Sequence, residues 1–225
     1  MSIRGVLAIF VKTPEYSPVK TRLATGIGLR NALQFYNHSL VATTALAQQV
    51  KSELHNLDVM WAVAEAEGMK STRWKKFNTV FQKEGSLGQR LHTVYEELLQ
   101  RYDFVAFMGA DSPHLASDEL MQALRLIEKI RQDGFVIGET DDGGFYFFGG
   151  GKTLPKEVWL SVEYSSEHTA KQLESQLAQF GCVEKIQKTF DIDTIEDLRS
   201  LSRCRIRLLP EQAALIEWTR SVNEI

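Results

Sequence analysis

Only two cysteines, Cys182 and Cys204, occur in 225 residues. They show no C-x-x-C spacing, which argues against a zinc site and a disulfide framework. Both read as small buried hydrophobes. Long apolar runs are missing as well. The N-terminal run Val6–Val11 is too short to span a membrane. Arg4 precedes it, Lys12 follows directly and no small-residue cleavage pattern appears, so it does not read as a signal peptide. Nor is there a surplus of one charge. The 26 basic and 29 acidic residues leave a net charge of −3, which gives no bulk electrostatic case for nucleic acid or an anionic membrane. Any basic site must be local. Four signatures are absent: the Gly-Lys-Ser/Thr phosphate loop, G-x-G-x-x-G in the first turn, H-E-x-x-H and G-x-S-x-G. That disfavours P-loop enzymes, dinucleotide dehydrogenases, zinc proteases and serine hydrolases. A cytoplasmic protein with small-molecule partners is the expectation; oligomeric state is left open.

What is present is ordinary globular composition, 44% hydrophobic and 24% charged, on a length suited to one domain over residues 1–225. Strand and helix patterns alternate. Strands are expected at Val6–Val11, Leu57–Ala64, Thr79–Gln82, Phe104–Met108, Phe135–Glu139, Phe145–Phe148 and Val183–Lys188. Helices are expected at Leu29–Val50, Leu87–Tyr102, Ser117–Arg131 with Ser117 as N-cap, His168–Phe180, Ile195–Leu201 and Glu211–Val222. The order predicts an α/β fold: a mostly parallel, mixed sheet with helices on both faces. Thr140-Asp-Asp-Gly-Gly144 has the chemistry of a hairpin turn, for which a type I′ turn is the simple account.

Three cations, Lys12, Lys20 and Arg22, cluster where the first strand gives way to a helix. Ligands of open α/β sheets bind beyond the carboxyl ends of strands, so fixed positive charge there points to a phosphorylated ligand, most simply a nucleotide. A solvated cationic loop explains the same residues. Asp111 directly follows the apolar strand Phe104–Met108. A carboxylate facing phosphate needs a cation between them, and Mg²⁺ is the usual one; a plain turn is the alternative. In Asp191-Ile-Asp193-Thr-Ile-Glu196-Asp197, either Asp193 or Thr194 caps the next helix, or Asp193 is a second metal carboxylate. Gly143 and Gly144 let backbone approach a ligand closely, and Asp141 and Asp142 could take sugar or ribose hydroxyls. Gly85-Ser-Leu-Gly88-Gln-Arg90 enters a helix, either holding a base or phosphate or simply capped by Ser86. The five histidines form no spaced ligand set; His114 lies nearest Asp111.

Taken in order, six pieces resemble a known family: Phe10-Val-Lys12-x-Pro14, Val19-Lys20-Thr21-Arg22-Leu23, Leu87-Gly88-x-Arg90, Gly109-x-Asp111-x-Pro113-x-Leu115, Asp142-Gly143-Gly144-Phe-Tyr146 and Asp191-x-Asp193-Thr-x-Glu196-Asp197-Leu198. They look like the glycosyltransferase-like domain of unknown function 2064, also called radical-SAM/selenodomain-associated transferase 1. The resemblance spans about residues 3–202. It implies a nucleotide-diphospho-sugar transferase (GT-A) fold, related to phospholactate guanylyltransferase and molybdenum-cofactor guanylyltransferase. It implies that the first loop (Phe10, Lys12, Lys20, Thr21, Arg22), with Gly88 and Arg90, binds nucleotide. It implies that Asp111 and Asp193 hold Mg²⁺. The leading expectation is Mg²⁺-dependent nucleotidyl transfer from a nucleoside triphosphate to a small phosphorylated or carboxylate acceptor, favoured because Lys20-Thr21-Arg22 can neutralise a triphosphate, whereas the family name points to glycosyl transfer. Glycosyl transfer from a nucleotide-sugar is the alternative, and a non-catalytic nucleotide- or metabolite-binding module the rival. Lys20, Arg22 and Asp111 are the expected catalytic residues; Asp142, Gly143 and Gly144 would orient the acceptor. Three stretches depart from the family pattern. Glu15-Tyr-Ser-Pro18 stands where a Gly is usual, Gly138-Glu139 where Gly-Pro is typical, and Tyr164-Ser-Ser166 where a Trp-x-Thr pattern is found.

Overall fold

A computed structural model describes residues 3–204 and 208–223. The strands are β1 (Gly5–Val11), β2 (Leu57–Val63), β3 (Asn78–Phe81), β4 (Phe104–Gly109), β5 (Gly134–Glu139), β6 (Phe145–Gly150) and β7 (Cys182–Lys185). The helices are α1 (Thr21–Glu53), α2 (Leu87–Leu99), α3 (Ser117–Ile130), α4 (Lys156–Leu160), α5 (Thr169–Leu177), α6 (Ile195–Ser202) and α7 (Pro210–Asn223). One sheet of order β3-β2-β1-β4-β6-β5-β7 results. All its pairings are parallel except those of β6, which runs against both β4 and β5. The α/β expectation holds.

Alternation along β1 explains the layering. Leu7, Ile9 and Val11 face one side, where they join Leu40 and Leu46 of α1 and Leu120, Leu124 and Ile127 of α3. Val6 and Ala8 face the other, against Leu91, Val94 and Leu98 of α2 and Leu173 and Leu177 of α5. Covered on both faces, the central strands read as continuous apolar runs. A third cluster lies between α1, α6 and α7, where Leu215 and Ile216 meet Leu23, Phe35 and Leu198.

Several local expectations are corrected. Helix α1 starts at Thr21 but breaks at Gly28, whose φ of 79° only glycine adopts easily, so the expected helix from Leu29 is its second part. Ala116, not Ser117, is the N-cap of α3; its extended backbone makes the cap without a side-chain bond, while Asp118 and Glu119 sit favourably in the first turn. The 140–144 turn is not type I′, which needs two left-handed central residues. Only Gly143 has positive φ there, with Thr140 and Gly144 paired across the loop. Helix α4 was not expected; it carries Trp159, which packs edge-on against Phe148 at 5.0 Å. The cysteines are not core residues: Cys182 lies exposed on the edge strand β7 and Cys204 is half-buried, both as free thiols. Among the described residues, no helix is long and apolar enough to cross a membrane.

Candidate functional site

Strands β1 and β4 end side by side, Phe10 opposite Gly109, and the reversed β6 begins next to them. A cleft of about 810 Å³ opens there. Its floor is made by two segments laced together. The Ile192 N–H donates to the Asp111 carbonyl at 3.0 Å, and the Ser112 hydroxyl donates to Asp191 at 2.5 Å. Asp111, Asp191 and Asp193 therefore meet on one surface although the chain separates them widely.

The local reason Asp193 is available is that Thr194 takes the capping role. Thr194 and Asp197 form a reciprocal capping box at the start of α6: the Thr194 hydroxyl accepts from the Asp197 N–H while Asp197 accepts from the Thr194 N–H. Asp193 is left to face the cleft.

Lys20 joins the floor from the first loop. Its backbone is left-handed, φ 49°, a conformation that costs a residue with a Cβ about 1 kcal/mol or more. That geometry sends the ammonium inward. It lies 2.5 Å from Asp111 Oδ1 and 3.0 Å from Asp193 Oδ1, and it donates to the Ile192 carbonyl at 2.8 Å. The side chain is 3% exposed, and its nitrogen also sits 5.7 Å above the Phe35 ring. Burial alone would favour the neutral amine. The charges of Asp111 and Asp193 outweigh it and hold the Lys20 pKa above its ordinary value. Asp191 is affected the other way. Burial, then the nearby Asp111 charge, push its carboxyl up to about 7, although Ser112 hydrogen-bonds to it.

The remaining expected residues divide clearly. Phe10, Lys12, Thr21, Arg22 and Arg90 line the cleft, and Arg22 reaches Asp193 at 3.4 Å. The Arg90 Nε donates to the Gly85 carbonyl, which ties it to the loop after β3. Gly88 does not line the cleft. It lets α2 approach α4 closely: a Cβ there would meet the Trp159 carbonyl at 2.5 Å. Ser86 caps α2 in a capping box with Gln89. Asp142 and Gly144 also line the cleft, whereas Gly143 packs against the Glu167 backbone. Asp142 Oδ1 already accepts from Thr140 and from the Gly144 N–H. His114 is buried outside the site, stacked on Phe190 at 4.3 Å with Nε2 3.0 Å from Thr189.

Sequence reasoning missed Ser112 and the placement of Asp191 in the floor; Tyr164–Ser166, singled out as a departure from the family pattern, line the cleft together with Glu167. The departure at Glu15 is resolved by geometry: Glu15 turns outward to Arg73 and Tyr16 points to solvent, 57% exposed, so neither lines the cleft. Among the described residues no group of three or more His, Cys, Asp or Glu is assembled as a metal cage. The donor set nevertheless fits Mg²⁺, which is commonly held by one or two carboxylates plus phosphate oxygens and water. Asp111 and Asp193 are partly exposed to the cleft and aim oxygens at one common cation, the Lys20 ammonium.

The strand order and the cleft at the β1 and β4 ends define a nucleotide-diphospho-sugar transferase fold. A protein from Desulfovibrio desulfuricans G20, provisionally described as a nucleotide-diphospho-sugar transferase, shares it. Its TM-score is 0.83 at 22% identity, over 99% of this chain and 98% of that one. A cytidylyltransferase from Leptospira borgpetersenii serovar Hardjo-bovis superposes with a TM-score of 0.58 at 17% identity, covering 99% and 96%. CMP:2-keto-3-deoxy-manno-octonic acid synthetase, solved with CTP, gives 0.57 at 11% identity, covering 96% and 99%. No curated protein matches the chain. Residues 45–166 match the family described as uncharacterized proteins conserved in bacteria, DUF2064, and the chain belongs to that family.

Proposed function

We propose that the protein is a Mg²⁺-dependent, cytoplasmic transferase that moves a nucleotidyl group from a nucleoside triphosphate to a small acceptor. The observation carrying this reading is the pairing, in one cleft, of cations from the first loop with the Asp111–Asp193 pair. One structural neighbour is named a cytidylyltransferase and another was solved with CTP, which supports a triphosphate as the donor.

Arg22 and Lys12 would bind the phosphates from the first loop, and Arg90 from the start of α2. Well-placed donors on developing phosphate charge are worth about 2–4 kcal/mol each. Asp111 and Asp193 would hold Mg²⁺, which when bound neutralises phosphate charge and polarises the reacting phosphoryl group. Asp142 and the Gly144 backbone would orient the acceptor. An acceptor phosphate or carboxylate is already anionic and needs no general base.

One observation favours glycosyl transfer as the second reading. From Asp142 to Thr169, the polar residues lining the cleft carry hydroxyls or carboxylates, with no Lys or Arg among them: Asp142, Tyr146, Tyr164, Ser165, Ser166, Glu167 and Thr169. Such a wall suits a sugar better than a second phosphate.

A thermal-shift panel of the four nucleoside triphosphates and common nucleotide-sugars, with and without Mg²⁺, tests both. Ligand at a hundredfold excess over Kd should stabilise by about 2.7 kcal/mol. A Mg²⁺-dependent shift with one triphosphate supports nucleotidyl transfer, and a shift with a nucleotide-sugar alone supports glycosyl transfer. Binding indifferent to Mg²⁺ favours a non-catalytic module.

A further inference from the structure

An ammonium group has three N–H donors and no acceptor. Lys20 donates to Asp193 and to the Ile192 carbonyl, Asp111 Oδ1 lies against the ammonium at 2.5 Å, and the side chain is almost wholly covered. Enclosed by these three oxygens, the ammonium is not open to a phosphate. Arg22, the nearest other cation, reaches only Asp193 and only at 3.4 Å. Lys20 therefore stands where the two carboxylates converge, and its single charge faces two acids with Asp191 beside them.

We propose that Lys20 is a built-in counter-cation for the Asp111–Asp193 pair, which a divalent metal must displace before the lysine can reach a phosphate. This rests on the metal-and-nucleotide reading above and adds a competition to it. One ammonium and one divalent ion cannot share the same carboxylate oxygens at close range without strong like-charge repulsion. Metal alone is therefore held weakly. A metal arriving with a polyphosphate is held better, because the anion gives the displaced ammonium a new partner. The left-handed backbone at Lys20 supports this. The Lys20 backbone is in the left-handed region, which is costly for a residue with a Cβ, and on this proposal the ammonium contacts help to offset that cost. Lys20 is then a positioning residue in the resting protein and a phosphate ligand only once metal is bound.

The test is Mn²⁺ binding without any nucleotide, followed by electron paramagnetic resonance, for the wild type and Lys20→Met. Competition predicts at least tenfold tighter Mn²⁺ binding by Lys20→Met, and loss of that binding when Asp111→Asn is added. Equal or weaker binding by Lys20→Met, with the fold intact, overturns the competition alone. If Lys20→Met does not fold, the wild type still answers. The buried Lys20 ammonium should give a slowly exchanging ¹⁵N resonance that disappears or shifts in step with Mg²⁺ saturation. A resonance unmoved at saturation overturns the inference. Failure of both proteins to bind Mn²⁺, even with inorganic triphosphate present, overturns the metal site itself and with it the proposed function.

Discussion

Arg73 grips Glu15 with two prongs: Nη2 donates to Oε1 at 2.7 Å and Nε donates to the same oxygen at 3.1 Å. Its Nη1 donates to Asn37 of α1 at 2.8 Å. The guanidinium so ties the first loop to the first helix and holds the Glu15 carboxyl below the usual range. Glu15→Gln should loosen the loop. Triphosphate binding is expected to fall about fivefold, or ~1 kcal/mol, with stability nearly unchanged because the pair is exposed. Calorimetric titration beside a urea melt checks both halves.

Two buried groups near the floor bend the pH dependence in opposite directions. Asp191 has its pKa raised to about 7, so the folded state keeps a proton that the unfolded chain loses near pH 4; stability falls as pH rises through that window. Burial lowers His114 to about 4, so the unfolded chain takes up a proton that the folded state refuses; stability rises over about pH 4 to 6.5. Each slope is at most about 1.4 kcal/mol per pH unit, and together they largely cancel. In chelator, the stability of Asp191→Asn relative to wild type should climb from pH 4.5 to 6.5. That of His114→Phe should decline over the same range. Parallel curves for wild type and both variants would sink this account.

Gly143 has φ 87°, and a Cβ there would lie 2.0 Å from the Glu167 carbonyl oxygen. Gly143→Ala should push the hairpin tip off the Tyr164–Glu167 wall and cost about 2–4 kcal/mol, combining backbone strain with overpacking. Gly144→Ala is the control. Its nearest neighbour is the Thr140 side-chain oxygen at 2.9 Å, which can move, so its loss should be smaller. Denaturant melts decide between the two.

Lys12 and Arg22 are exposed cations at the mouth of the cleft. Lys12→Ala and Arg22→Ala should each weaken a triphosphate about tenfold, ~1.4 kcal/mol. A monophosphate should be weakened much less. Equal losses for both ligands would place these side chains away from the outer phosphates.

Much of the architecture was legible because it is written locally. Continuous apolar runs marked β1 and β4, and 3.6-residue periodicity marked α2 and α3. Helix α4 was invisible because five residues, Lys156–Leu160, are too few to show a period. The break at Gly28 was equally silent, since a glycine inside a helical pattern is often tolerated. Asp111 could be placed because it ends an apolar strand; Asp193 needed the resemblance. The role of Lys20 was the hardest to foresee. A cation in a first loop reads as directed to a ligand, and nothing local announces that its partners are the protein's own acids.

The bond between Lys20 and Asp193 spans 173 positions of sequence. On a ribosome moving at about 5–20 residues per second, the first loop waits roughly 10–30 s for that partner to be made. Until then the lysine has Asp111 alone of its two acids, and the floor lacks its second segment. A nascent chain halted before Asp191 would carry all seven strands of the sheet yet lack Asp193, one of the two carboxylates of the proposed metal site. On the proposed reading, ligand competence would arrive only in the last stretch of synthesis.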